Sequence, residues 1–180
     1  LKKQTNPFFA IIQTADNHRP YTIPAEDRPF VKLRDFPQDT LKKYGFWTNE
    51  EMNAYTYMDY TYKVFFDAAS KEKYFSNTIF VFVGDHGIRG VAGDMMPKVW
   101  TEQSLTSQHV PLLFYAPSLL KPQVVERKVS QIDIMPSITG LANLPVNNTT
   151  LGRNFFLYTP LKDSNDLTNN AFILDPFQNL

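Results

Sequence analysis

The sequence has no cysteine, which excludes disulfides, thiolate metal ligation and a cysteine nucleophile; any redox compartment permits that absence. It also has no net charge, because 18 Lys and Arg balance 18 Asp and Glu. No overall field therefore draws the chain toward nucleic acid or an anionic membrane, and an anion must be held locally. Its longest apolar runs, such as residues 78–83 and 110–116, fall far short of the roughly 20 residues needed to cross a bilayer. No charged-then-apolar leader opens the chain, and there is no internal repeat or low-complexity tract. The first residue is Leu1, with a strand-like run soon after, so the expectation is a fragment of a longer protein.

Aromatic residues are plentiful, with 15 Phe and 9 Tyr in 180 residues and an apolar fraction of 43%. Such a composition argues for a packed interior and against disorder, and the length suits a single domain over 1–180. Residues 7–13 form a short apolar run of strand length that delivers the polar loop Thr14 to Pro20. The Pro-rich segment 21–37 has no period and is expected to link across the surface without packing. Thr48 is a candidate N-cap, followed by Glu50 and Glu51. Met52, Tyr55, Tyr57, Tyr62, Phe65, Phe66 and Ala69 then recur at helical spacing toward Lys73, with Lys71 and Lys73 complementing the helix end.

Residues 78–83 are apolar on both faces, as a central parallel strand should be, and lead into Gly84-Asp85-His86-Gly87. A third strand is expected over 110–117. A fourth, 124–131, precedes an amphipathic helix over 134–141, and Ala171 to Leu174 read as an edge strand. The order predicts an α/β fold, a mostly parallel sheet flanked by helices.

In such sheets, ligands bind beyond the carboxyl ends of the strands. Two strand tips carry chemistry-bearing residues: His18 on one, Asp85 and His86 on the other. Adjacent Asp and His at a strand end can reach one cation, and the flanking glycines permit the turn. A carboxylate with an imidazole favours Zn or Mn over Ca. The competing reading is a surface turn whose Asp caps a helix. His18 equally reads as an exposed turn residue, and Asp133 before an apolar helix as an N-cap. Arg89 and Lys98 read as solvated charge. Asn147-Asn148-Thr149-Thr150 contains a glycosylation sequon and otherwise reads as a polar loop.

The run Asn77 to Gly87 resembles the signature of sulfatases and of the lipoteichoic acid synthase and phosphoethanolamine transferase branches of the alkaline phosphatase/sulfatase superfamily. Pro7-Phe8-Phe9 leading to His18-Arg19-Pro20-Tyr21, the helix residues Tyr55 to Asp59, His109-Val110-Pro111-Leu112, Gln131 to Ile138 and Gly152 to Phe156 resemble further family segments in the same order. The resemblance covers about residues 6–157. It implies the C-terminal part of an alkaline-phosphatase-like fold, with Asp85 and His86 as metal ligands for Mn or Zn in preference to Ca or Mg. It also implies His18 as a catalytic and substrate-contacting residue. His109 matches a position that binds substrate or a second metal in some relatives, or that supports the site from behind.

The implied reaction is phosphoglycerol or phosphoethanolamine transfer, or hydrolysis of a phosphodiester or phospholipid head group. A sulfatase acting on sulfate esters is the runner-up, and a non-catalytic remnant that binds is the alternative of another class. The family's Thr, Ser or formylglycine nucleophile belongs well upstream of the strand leading to His18. The chain alone is therefore expected to be inactive and to associate with a missing N-terminal half or with another copy of itself. An extracytoplasmic location, on a parent anchored in the cytoplasmic membrane, is implied by the same branch.

Overall fold

The computed structural model describes residues 1–88, 90–91, 93–157 and 169–173, with Asp94 described by its backbone alone. These residues gather into two compact units, Leu1–Leu119 and Leu120–Leu180. The first unit carries α1 (Gln38–Lys43), α2 (Asn49–Ala69), β1 (Phe80–Val83), α3 (Val99–Glu102), α4 (Leu105–Gln108) and β2 (Leu112–Tyr115). The second carries α5 (Ile134–Leu141), entered through a 3-10 turn at Gln131–Asp133.

Helix α2 begins as its sequence predicts: the Thr48 hydroxyl accepts the Glu51 N–H at 3.2 Å, satisfying one of the amides left unpaired at a helix start. Its end differs from expectation. The helix stops at Ala69 with no basic residue in its last turn, so Lys71 and Lys73 lie beyond the carbonyls they were expected to face. The aromatic residues of its second half meet the sheet, where Phe66 packs at 5.6 Å against both Phe80 and Phe82 and at 5.3 Å against Tyr115. Ring pairs at such separations add to plain area burial.

The α/β class holds, but the strand direction is corrected. Among the described residues the sheet is two-stranded and antiparallel, with Phe80 opposite Tyr115 and Val83 opposite Leu112. A doubly apolar run is compatible with either direction once a helix covers it; periodicity cannot report which neighbour the strand finds. The expected strand over 7–13 is irregular, with Phe9 63%, Ile11 82% and Ile12 68% exposed. Residues 124–130 and 171–173 are likewise without strand structure, and Leu174 lies outside the described residues. A strand exists only where a partner completes its backbone hydrogen bonds, so apolar composition alone does not make one.

The segment 21–37 also differs from the expected surface link. Ile23 and Val31 are buried with Tyr57, and Tyr60 packs against them. Asn53 of α2 clamps Arg34 through both backbone groups, accepting its N–H at 2.9 Å and donating to its carbonyl at 2.8 Å. The Tyr57 hydroxyl donates to Asp27 at 2.6 Å, and this bond, aided by burial, raises the phenol's pKa well above its ordinary value.

In the second unit, Asp133 occupies the N-cap position of α5, as expected, but its side chain makes no cap bond there and instead serves as the N3 partner of a capping box begun at Ser130. The Asp133 carboxylate accepts the Ser130 N–H at 2.8 Å and the Arg153 N–H at 2.7 Å, while Ser137 below it donates to the Asp133 carbonyl at 2.7 Å.

Candidate functional site

The strand tip after β1 is held from one side by the chain leading into β2. Gly84 N–H donates to the Pro111 carbonyl at 3.3 Å and Gly87 N–H to the Ser107 carbonyl at 2.9 Å, so the pairing of the two strands continues past their ends. The approach is close enough that a Cβ on Gly87 would lie 2.1 Å from the Thr106 carbonyl oxygen. Glycine is needed there because a neighbouring backbone occupies the side-chain space. Thr106 and Ser107 are the supporting residues that sequence reading missed, since nothing in their own pattern marks them.

Asp85 and His86 stand exposed on this tip, their side chains 78% and 67% accessible. The Asp85 Oδ1 accepts the His86 N–H at 2.9 Å, which orients the carboxylate. The His86 Nδ1 lies 2.8 Å from the Gly87 carbonyl. A carbonyl only accepts, so Nδ1 carries the proton and the neutral ring has its lone pair on Nε2. That Nε2 lies 3.7 Å from Asp85 Oδ2, a separation that one cation about 2.1 Å from each atom could span. The pair fits a metal as part of a ligand set: among the described residues, no group of three or more His, Cys, Asp or Glu is gathered to hold one.

His109 sits between Ser107 and Pro111, the two residues that receive the tip's hydrogen bonds, and so belongs to the segment lying beside Asp85 and His86. Its ring meets Trp100 edge-on at 5.0 Å. His18 is carried by a different loop of the same unit. Its N–H donates to the Ala15 carbonyl at 3.1 Å, its carbonyl accepts the Tyr21 N–H at 3.0 Å, and its Nδ1 lies 2.8 Å from the Arg19 carbonyl. By the same reasoning, Nε2 is the atom through which neutral His18 can accept a proton. The structure thus brings Asp85, His86 and the His109 segment together, while the backbone and Nδ1 contacts of His18 stay within its own loop. Lys98 is exposed, as expected, and Arg89 lies outside the described residues.

A family profile described as Sulfatase matches residues 1–144. This chain belongs to the sulfatase family. Among curated proteins, this sulfatase-family chain is 24% identical over 186 residues to the lipoteichoic acid synthase-like YvgJ of Bacillus subtilis, covering 98% of the chain and 29% of YvgJ. It is 25% identical over 171 residues to an endo-4-O-sulfatase of Bacteroides thetaiotaomicron, covering 86% of the chain and 33% of that protein. Among solved structures it resembles a protein of the alkaline phosphatase superfamily from Vibrio parahaemolyticus, with a TM-score of 0.63 and 25% identity over 88% of this chain and 34% of the other. The chain therefore spans about a third or less of the relatives it matches, and its fold is a portion of the alkaline-phosphatase-like architecture. No helix among the described residues is long and apolar enough to cross a membrane.

Proposed function

We propose that residues 1–180 form the C-terminal portion of a metal-dependent catalytic domain that transfers or hydrolyses phosphodiesters, with phospholipid head groups of the phosphoglycerol or phosphoethanolamine type as its substrates. The observation that carries this reading is the Asp85–His86 pair, two donor atoms 3.7 Å apart on a glycine-bracketed strand tip. A divalent ion, Mn or Zn in preference to Ca or Mg, supplies charge neutralisation at the transferred group when bound. Asp85 and His86 are two of its ligands; the rest, and the nucleophile, come from parts of the domain outside this sequence, in keeping with the small share of each relative that the chain spans. His18 contacts the transferred group or the departing alcohol, its ring oriented by Arg19 so that Nε2 accepts or returns the proton. His109, beside the tip, contacts substrate. The parent is anchored in the cytoplasmic membrane and works outside it.

A second reading, hydrolysis of sulfate esters, draws support from the likeness to an endo-4-O-sulfatase. The test is to express the whole reading frame that carries this sequence and assay it with Mn and Zn against bis-nitrophenyl phosphate and nitrophenyl sulfate, beside His86→Ala. Phosphodiester cleavage lost in the variant supports the first reading, and sulfate-ester cleavage lost in the variant supports the second. Metal binding and turnover both absent from the intact protein would overturn both and leave a domain that only binds.

A further inference from the structure

Beside the His18 loop lies a cleft of about 410 Å³ lined by Arg19, Pro20, Tyr21, Trp47, Thr48, Glu50 and Glu51. Trp47 immediately precedes the N-cap of α2, a position where a large apolar residue ordinarily folds down onto the helix; here it remains 60% exposed. Glu51 is the opposite, a carboxylate only 2% exposed. It accepts the Trp47 N–H at 2.8 Å on one oxygen and the Tyr21 hydroxyl, at a long 3.3 Å, on the other. A carboxylate has about four acceptor positions and two are filled here, so acceptor capacity remains on a side chain that bulk water scarcely reaches. Tyr21 stands at φ 60°, a left-handed conformation uncommon for a tyrosine, and its hydroxyl ties the His18 loop to Glu51.

The charges of this cleft do not suit an anion: Arg19 is set against Glu50 and Glu51. The backbone hydrogen bond at the helix start, with the Thr48 hydroxyl beside it, holds Glu50 below its ordinary pKa, so it too is an acceptor. An exposed indole and carboxyl acceptors lining one cleft suit a molecule with apolar C–H faces and hydroxyl donors. We infer that this cleft binds the neutral, hydroxylated part of the substrate, a sugar ring or polyol, with Trp47 against its C–H face and Glu51 accepting a hydroxyl. This deepens the proposed ester chemistry and rests on it for the identity of the ligand as substrate: Arg19, Pro20 and Tyr21, which follow His18 directly in the chain, form one wall of the cleft.

The test reads binding and requires no turnover, so failure of this inference is distinguishable from failure of the reaction assigned above. The whole-reading-frame protein is labelled with 5-fluorotryptophan, and the Trp47 and Trp100 signals are assigned by their loss in Trp47→Phe and Trp100→Phe. Methyl glucoside, glycerol and inorganic phosphate are then titrated separately. A saturable shift of the Trp47 signal with glucoside or with glycerol supports the inference and says which of the two fits; the Trp100 signal should stay in place. Glu51→Gln, with circular dichroism and the Trp100 signal as folding controls, should weaken that binding about tenfold, as loss of a central polar anchor does. A response to phosphate alone, or no response to either neutral probe, overturns it.

Discussion

Asp85 and Asp133 are the same residue type, each set near a glycine against which a neighbouring backbone presses, and they are put to opposite uses. Asp133 is 2% exposed. Its oxygens accept the N–H groups of Ser130 and Arg153, with Arg153 Nε a further 3.7 Å from Oδ1. Asp85 accepts the next residue's N–H and stands with His86 where solvent reaches both. A buried carboxylate engaged by amides from two segments serves the fold, because removing it strands those donors. An exposed carboxylate paired with an imidazole contributes little to folding, and a ligand can reach it. The difference lies in what surrounds each side chain and not in the residue.

The largest effect expected from this contrast is on turnover. In the intact protein, His86→Ala should reduce activity by about 10³-fold or more, ~4 kcal/mol of transition-state stabilisation, if His86 is the metal ligand proposed above. Single-turnover rates at saturating Mn or Zn check this, and a loss below about tenfold would remove His86 from the ligand set. On stability the order reverses. Asp133→Ala should cost about 3 kcal/mol, since two part-buried amides and the Arg153 guanidinium lose a buried acceptor; the midpoint of urea unfolding followed by circular dichroism measures it.

The two glycines sharpen the contrast at smaller magnitude. A Cβ on Gly87 would lie 2.1 Å from the Thr106 carbonyl oxygen, and one on Gly152 would lie 1.9 Å from that of Ile132. Alanine at either should cost about 2 kcal/mol through forced backbone displacement. Gly87→Ala should also lower turnover per folded molecule, because the displaced backbone carries Asp85 and His86, while Gly152→Ala should leave it as it was. Equal effects on turnover would mean that the tip position does not matter to the reaction.

How much of this was legible in the sequence depended on whether the deciding interaction was local. The Thr48 cap, helix α5 and the strand tip at Asp85-His86 are encoded within a few residues, and the sequence places them well. The antiparallel partner of β1, the packing of Ile23 and Val31 against Tyr57 and the irregular course of 7–13 depend on residues far away in the chain, to which periodicity is blind. The Ser130–Asp133 corner lies between these cases: the capping box is local, but the engagement of Asp133 by Arg153 spans twenty residues. The cleft at Trp47 was illegible for the same reason, since its walls come from the His18 loop and the start of α2.

The smallest predicted effect is the most discriminating. Asp85→Asn keeps a carbonyl oxygen to accept the His86 N–H and removes the charge. Because the Asp85 side chain is exposed, the unfolding free energy should change by no more than about 0.5 kcal/mol, as at exposed sites generally. Asp133→Asn, which also keeps one acceptor, should still cost more, because its second oxygen becomes an amide donor facing a backbone N–H. Matched urea titrations of the two asparagine variants decide the point. A loss above about 1 kcal/mol for Asp85→Asn would make this carboxylate a turn-stabilising group like Asp133, and the metal assignment would then rest on His86 alone.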